Sequence, residues 1–418
     1  MPQASPRTLA KRLRDAAESY PRSYWAMLGG FVVGFGGINV IWPFISMYAR
    51  RAFDVPLTKI TIVFTLYSVI SAFATTLAGP IVDRLGRKLG LVMAFVASAI
   101  LLFVMGMTHT YPTWVALMLA WALFWPFIQI SSNAMVADWV PEDRRMTAYA
   151  MIIISISAGI ALGPAIGGFI IERSYVMAFT IAAIAAAVTA LIIQLFVRES
   201  LVRAAPATSS VSETQAQPGY RHILKHPAFV GFCGVYAVHA LCGVMMFMLL
   251  PLYINEQFGV PESRTGFIMS AGAMMPVLFQ YVAARFSSRF NSLRVMAVGA
   301  GCYVLAFLII ALGRSFWPFL AGFCTLQMGL LITVPTASAL TANAARPTMR
   351  GRYMSAFSLA SWVGFGLGPL VGGLLNDHIA PVAMWYGGMA ISLVAMVGYL
   401  ALVPAFRRDR HQETPLAH

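Results

Sequence analysis

Three groups of residues in this sequence could carry chemistry, and none is arranged like an enzyme site. The densest is the segment GPIVDRLGRKLGL (79–91), where one carboxylate, Asp83, stands among Arg84, Arg87 and Lys88, with Gly79 and Gly86 beside them. Gly86 supplies the backbone freedom for a tight turn between two antiparallel helices. The cations can pair with acids of ADWVPEDRR (137–145), namely Asp138 and Glu142. The second is His239, in VGFCGVYAVHALCGVMMFML (230–249). It is the one Asp, Glu, Lys, Arg or His that falls inside an apolar run. With a reference pKa of about 6.5 it can carry a proton, bond a neighbouring helix or touch a substrate. The third group is a set of amides and bulky side chains within the runs. It holds Asn39, Gln129, Asn133, Gln280 and Gln327, with Trp42, Trp121, Trp125, Met245, Met246 and Phe247. The cysteines Cys233, Cys242, Cys302 and Cys324 all lie in apolar runs without the Cys/His spacing of a metal site. No Ser/His/Asp constellation and no phosphate loop is found. Neither enzymatic activity, metal nor cofactor is expected.

The elements that must position these groups are membrane helices. Of 418 residues, 59% are hydrophobic and 11% charged, with a mean hydropathy of +0.75. Soluble domains carry about 25% charged residues, so lipid must cover part of this apolar surface. A span needs about 20 apolar residues. Such runs lie near 25–48, 60–82, 89–108, 113–137, 147–171, 175–197, 228–254, 265–284, 295–313, 316–341, 353–375 and 382–404. They lack the polar alternation of barrel strands. The predicted fold is all-α, twelve spans in two pseudo-symmetric six-helix bundles.

The net charge of +14 resides in short loops between runs. With the N-terminus placed inside, 23 Lys and Arg fall on that side and 6 on the other. This asymmetry puts both termini in the cytoplasm and argues against a nucleic-acid partner. The expected organisation is a cytoplasmic segment 1–24, a first bundle 25–197, a flexible linker 198–227, a second bundle 228–404 and a tail 405–418. The linker core AAPATSSVSETQAQPG (204–219) is too polar to bury a core. Residues 1–24 hold no separate apolar segment, so a cleaved signal peptide is not expected. The chain is read as a monomer of the bacterial inner membrane, with a small-molecule substrate and protons as candidate partners.

The halves repeat. Span five reads GIALGPAIGG, with Gly159, Gly163, Pro164, Gly167 and Gly168; span eleven reads GFGLGPLVGG, with Gly364, Gly368, Pro369, Gly372 and Gly373. Equivalent positions lie 205 apart, as do Arg145 and Arg350, and Glu172 and Asp377. In lipid, helices associate by close backbone approach at small residues, and the prolines permit bends. The glycines serve packing alone or also a seam that flexes. At the same offset Asp83 and Arg84 become Ser288 and Arg289, a decayed copy of the acidic loop. Repeated halves are a common transporter plan, with the substrate between them.

The 79–91 segment resembles the major facilitator signature G-x-L-A-D-R-x-G-R-K, with Ile81 and Val82 as departures. The span-five motif resembles that of the antiporter branch, especially drug–proton antiporters. The resemblance covers nearly the whole chain. It implies that spans one, four, seven and ten line a central cavity, making Asn39, Trp42, Trp121, Trp125, Gln129, Asn133, His239, Met245 and Gln327 cavity candidates. It also implies that Asp83 faces the N-terminus of span eleven, where a carboxylate is favoured, so that Gly79, Asp83, Arg84, Gly86, Arg87, Lys88, Asp138 and Glu142 form a conformational latch. Many drug–proton antiporters carry an acid in span one or an Arg in span four; here stand Asn39, Trp121 and Trp125. Proton coupling would therefore use His239, Asp83, Asp138 or the pair Glu172 and Asp377.

Weakly polar, Met- and aromatic-rich walls suit a lipophilic substrate, and no midplane cation is available to an anionic one. The leading expectation is efflux of lipophilic compounds coupled to protons. The alternatives are a uniporter or symporter of a neutral solute such as a sugar, a lipid flippase, and a non-transporting receptor.

Overall fold

The computed structural model describes residues 20–201, 226–287, 289–345 and 349–412; within its helices the side chains of residues 142, 143, 146, 281, 284, 350, 351 and 407–412 are not described. The described residues are helical with short turns, and no strand occurs among them. Span one is Arg22–Ile41, a 3-10 turn at Trp42–Phe44 and Ile45–Phe53. Its break falls at Pro43, which removes a backbone donor. Spans two to six are Leu57–Leu85, Arg87–Gly106, Tyr111–Trp139, Glu142–Ile171 and Tyr175–Phe196. Spans seven to twelve are Pro227–Phe258, Glu262–Ser287, Ser292–Leu312, Phe316–Ala344, Arg350–His378 and Ala383–Gln412. Among the described residues eleven helices are long and apolar enough to cross a membrane. The twelfth, Glu262–Ser287, has 26 residues and packs along span five.

The 205-residue offset holds at the level of structure. Arg22–Phe53 maps onto Pro227–Phe258 and Tyr111–Trp139 onto Phe316–Ala344 at both ends. The glycine contacts map too. A methyl group on Gly159 would meet Gly36 N at 2.7 Å and Val32 O at 2.9 Å. One on Gly364 would meet the equivalents, Leu241 N and Ala237 O, both at 2.8 Å. Gly163 lies on Gly36 and Asn39, Gly167 on Val40, Gly368 on Leu241 and Gly372 on Met245. Span five therefore packs on span one as span eleven packs on span seven. Without these glycines the backbones could not approach so closely.

The halves meet through spans five and eight and through spans two and eleven. Pro164 and Pro369 lie in the first and last of these. Apolar side chains such as Val69, Phe73, Leu195 and Leu278 point outward and are exposed, as a lipid-covered surface requires. We call the end with the first described residues, the span two–three turn and the end of span six the terminal face, and the opposite end the distal face. Residues 198–201 of the expected linker are fastened to the first half, as described below; 202–225 lie outside the described residues.

Candidate functional site

The first element of the site is a cavity of about 490 Å³ between the halves, a volume suited to a small organic molecule. The first half contributes Phe35, Asn39, Trp42, Tyr67 and Trp125; the second contributes Tyr236, His239, Phe247, Tyr303, Gln327 and Trp362, among others. Among the described residues no Asp, Glu, Lys or Arg lines it. The first-half wall is an aromatic lattice: Trp42 packs edge-on to Trp121 at 5.4 Å and lies 5.8 Å from Tyr67, and Phe35 sits 5.7 Å from Trp125. Such edge-to-face pairs hold rings in fixed orientations.

Asn39, Trp42, Trp125, His239 and Gln327 thus reach the cavity as expected. Four other candidates do not. Trp121 is fully buried behind Trp42, its indole N–H donating to Ser98 Oγ at 2.9 Å. Met245 is buried against Gly372 and Gly388. Gln129 and Asn133 are exposed and are not among the lining residues. The spans are apolar on every side, so membership of the right helix does not select the right face. The asparagine amide of Asn39 donates to Phe35 O at 2.9 Å within its own helix. His239 is 3% exposed, and neither ring nitrogen has a hydrogen-bond partner among the described residues. It does not tie two helices by hydrogen bonds; its ring stacks on Tyr303. Tyr67, Tyr236, Tyr303 and Trp362 were not foreseen.

The second element is a cross-half clasp at the distal face. The Ser263 N–H at the start of span eight donates to Glu172 Oε1 at 2.9 Å, and the Thr58 N–H at the start of span two donates to Asp377 Oδ2 at 2.7 Å. Both partners and both acids are related by the 205 offset. Each carboxylate sits where a helix presents unsatisfied N–H groups and partial positive charge. Hydrogen bonds from Ser263 hold the Glu172 carboxyl below its ordinary range. Arg51 of span one adds an ion pair with Glu262 and a hydrogen bond to Asn255; Arg50 pairs with Glu256 at 3.3 Å. The Ser46 hydroxyl donates to Met248 O at 2.8 Å and Thr65 to Gly366 O at 2.6 Å.

The third element is the span two–three turn at the terminal face. Gly86 has φ +112°, a conformation that favours glycine. A side chain there would also strike Glu199, whose carboxylate accepts the Arg87 N–H at 3.0 Å and the Lys88 N–H at 3.2 Å. Glu199 therefore caps span three, a role the sequence reading missed. The Lys88 amine donates to Gln194 O at 2.7 Å, Arg87 pairs with Asp138, and the Ser200 hydroxyl donates to Asp138 Oδ2 at 2.7 Å. The expected Arg87–Asp138 pairing is present. Arg84 is exposed, Gly79 has open space around it, and the Glu142 side chain and Ser288 lie outside the described residues.

The side chains at the start of span eleven, 350 and 351, and residues 346–348 before it lie outside the described residues, so the expected Asp83 contact falls there. Asp83 itself is 68% exposed and lies 3.9 Å from Arg87 of its own half.

These features, a repeat of six helices and a cavity between the repeats, are those of a membrane transporter. The family model for the Major Facilitator Superfamily matches residues 26–261 and 232–417, and the chain belongs to that family of integral membrane proteins. It is 23% identical over 385 residues to a Na(+), Li(+), K(+)/H(+) antiporter of Planococcus maritimus, covering 83% of this chain and 86% of that one. It is also 23% identical over 388 residues to the multidrug resistance protein MdtH of Salmonella newport, covering 91% and 92%. In fold it resembles a variant of the nucleoside transporter NupG, with TM-score 0.79, 16% identity and coverage of 91% of this chain and 100% of that one. It likewise resembles an inward-facing bacterial homologue of the lysosomal transporter Spinster, with TM-score 0.72, 13% identity and coverage of 92% and 97%.

Proposed function

We propose that this chain exports lipophilic compounds in exchange for protons, with its terminal face toward the cytoplasm. The carrying observation is the cavity: aromatic, weakly polar and without an ionised side chain in its lining. Such walls accept varied apolar bodies by dispersion and ring packing. They offer no carboxylate to a metal cation, so the reading follows the multidrug relative rather than the metal-cation antiporter. The chain works as a monomer.

In the form described, the distal face is clasped and the substrate enters from the terminal face. In the alternate form the distal clasp releases, the terminal face closes, and Asp83 reaches the N-terminus of span eleven, where helix dipole and N–H groups favour it. The proton site lies among His239, Asp83 and Asp138, and a change in its environment between forms couples proton movement to the switch.

Proteoliposome transport under an imposed pH gradient tests the reading. A lipophilic dye should be driven against its gradient and a labelled sugar should not. Gradient-independent sugar flux would replace the efflux reading with that of a neutral-solute uniporter. If His239→Gln, Asp83→Asn and Asp138→Asn all leave gradient-driven transport intact, proton coupling through these residues is excluded.

A further inference from the structure

Tyr303 stands on span nine, which packs against spans ten and twelve, yet its ring lines the cavity. Two glycines let it through. A methyl group on Gly243 of span seven would meet the Tyr303 hydroxyl at 2.9 Å, and one on Gly329 of span ten would meet the ring at 2.8 Å. These approaches are too close for ordinary packing, so a larger residue at either position would displace the ring. The first half has no such passage. At the 205 offset Gly243 and Gly329 become Ile38 and Phe124, and Tyr303 becomes Ser98, which accepts the Trp121 indole instead.

His239 lies flat on Tyr303, with ring centroids 4.3 Å apart and planes 23° apart. It too has no counterpart: the first half places Gly34 there. His239 lines the cavity, is almost wholly buried, and keeps two unpartnered ring nitrogens among the described residues. Both nitrogens are closed off in this arrangement, so a ligand group meets one only as the side chains around the ring shift, and it then gains what the protein alone forgoes. The two walls therefore differ. One is a lattice of rings whose amide, Asn39, donates to its own helix. The other holds hydrogen-bonding capacity without a partner. An ion entering here would leave water without a counter-charge, whereas a neutral polar group needs only a hydrogen bond.

We infer that Tyr303 and His239 form the hydrogen-bonding end of the substrate site, reached through the Gly243–Gly329 gap, and that they select flat, uncharged molecules bearing a hydrogen-bonding group. The ring body of the ligand lies on Trp42 and Trp125. This assignment rests on the cavity being the transport site and names the class of molecule it takes.

Isothermal titration calorimetry of the full-length protein in lipid nanodiscs tests it with two probes. Aminomethylcoumarin is flat and uncharged and carries an amine and a carbonyl; tetraphenylphosphonium is a permanent cation with no hydrogen-bonding group. Tyr303→Phe keeps the ring and His239→Phe keeps the stack. Each should weaken coumarin binding about five-fold, the factor one net hydrogen bond supplies, and move the phosphonium affinity less than two-fold. Unchanged coumarin binding in both variants, equal losses for both probes, or no coumarin binding by the natural protein would overturn the assignment. If the natural protein binds the coumarin with the expected dependence but a pH gradient drives none of it across proteoliposomes, the efflux reading fails and the subsite stands.

Discussion

At the distal face two carboxylates, Glu172 and Asp377, each hold the first N–H groups of a helix in the opposite half. At the terminal face Asp83, expected to do the same for span eleven, is exposed and among the described residues pairs with Arg87 of its own half. The chemistry engaged at the distal end is the one the proposed switch would use at the terminal end. The distal clasp is double because the repeat preserves both of its acids and both of its helix starts. The proposed terminal latch would be single, because the second half has Ser288 where the first has Asp83. A molecule built this way can fasten either end with a few weak contacts, each worth about 0.3–1 kcal/mol at an exposed helix terminus. Contacts of that size can be exchanged as the halves rock, which a deeply buried ion pair would resist.

The comparison can be broken most severely at Gly168, which lies against the backbone of Glu262 and Ser263. Gly168→Val should keep the distal face from closing and cut transport more than about ten-fold, whereas Gly79→Val, with open space around it, should leave the distal face closed. Cysteine accessibility at position 264 reads both outcomes. Next in size is the double change Glu172→Gln with Asp377→Asn. It should move the population toward the distal-open form roughly three- to thirty-fold, the product of two helix-terminus contacts. Asp83→Asn should act in the opposite sense by roughly two- to five-fold, favouring the terminal-open form. Because Asp83 is exposed in the form described, thermal stability of that form should not change.

The smallest effect is on pH. Glu172 is held below its ordinary range by Ser263, so its contact is at full strength above the usual carboxylate pKa of about 4.3. It is lost as pH falls through the lowered value. Distal-face labelling should therefore be flat from neutrality to about pH 5 and rise only below about pH 4. A rise near pH 6 would show that another group controls the clasp.

Much of the architecture was legible because lipid leaves little choice: a span needs an unbroken apolar run, and two copies of G-x-x-x-G-P-x-x-G-G at one offset leave few readings but a repeat. The cavity was legible in part. Asn39, Trp42, Trp125, His239 and Gln327 line it, while Trp121 and Met245, on the same spans, are buried behind it. Apolar residues surround these helices on every side, so the 3.6 period that marks a buried face in soluble helices carries no signal here. Tyr303 was missed because its span is an outer one. The available clue was a break in the repeat, Gly243 and Gly329 standing against Ile38 and Phe124. Glu199 was missed because it sits in a polar stretch; the clue was the Gly86 turn, which leaves N–H groups of span three in need of an acceptor.

The central claim is that the two faces open in opposition about the cavity. Double electron–electron resonance tests it most directly, with spin labels at 84 and 289 across the terminal face and at 173 and 314 across the distal face, in a chain whose four cysteines are replaced. The Glu172→Gln, Asp377→Asn variant should lengthen the distal distance and shorten the terminal one in the same population. Distances that lengthen together, or a terminal distance that stays fixed while the distal one grows, would contradict the account.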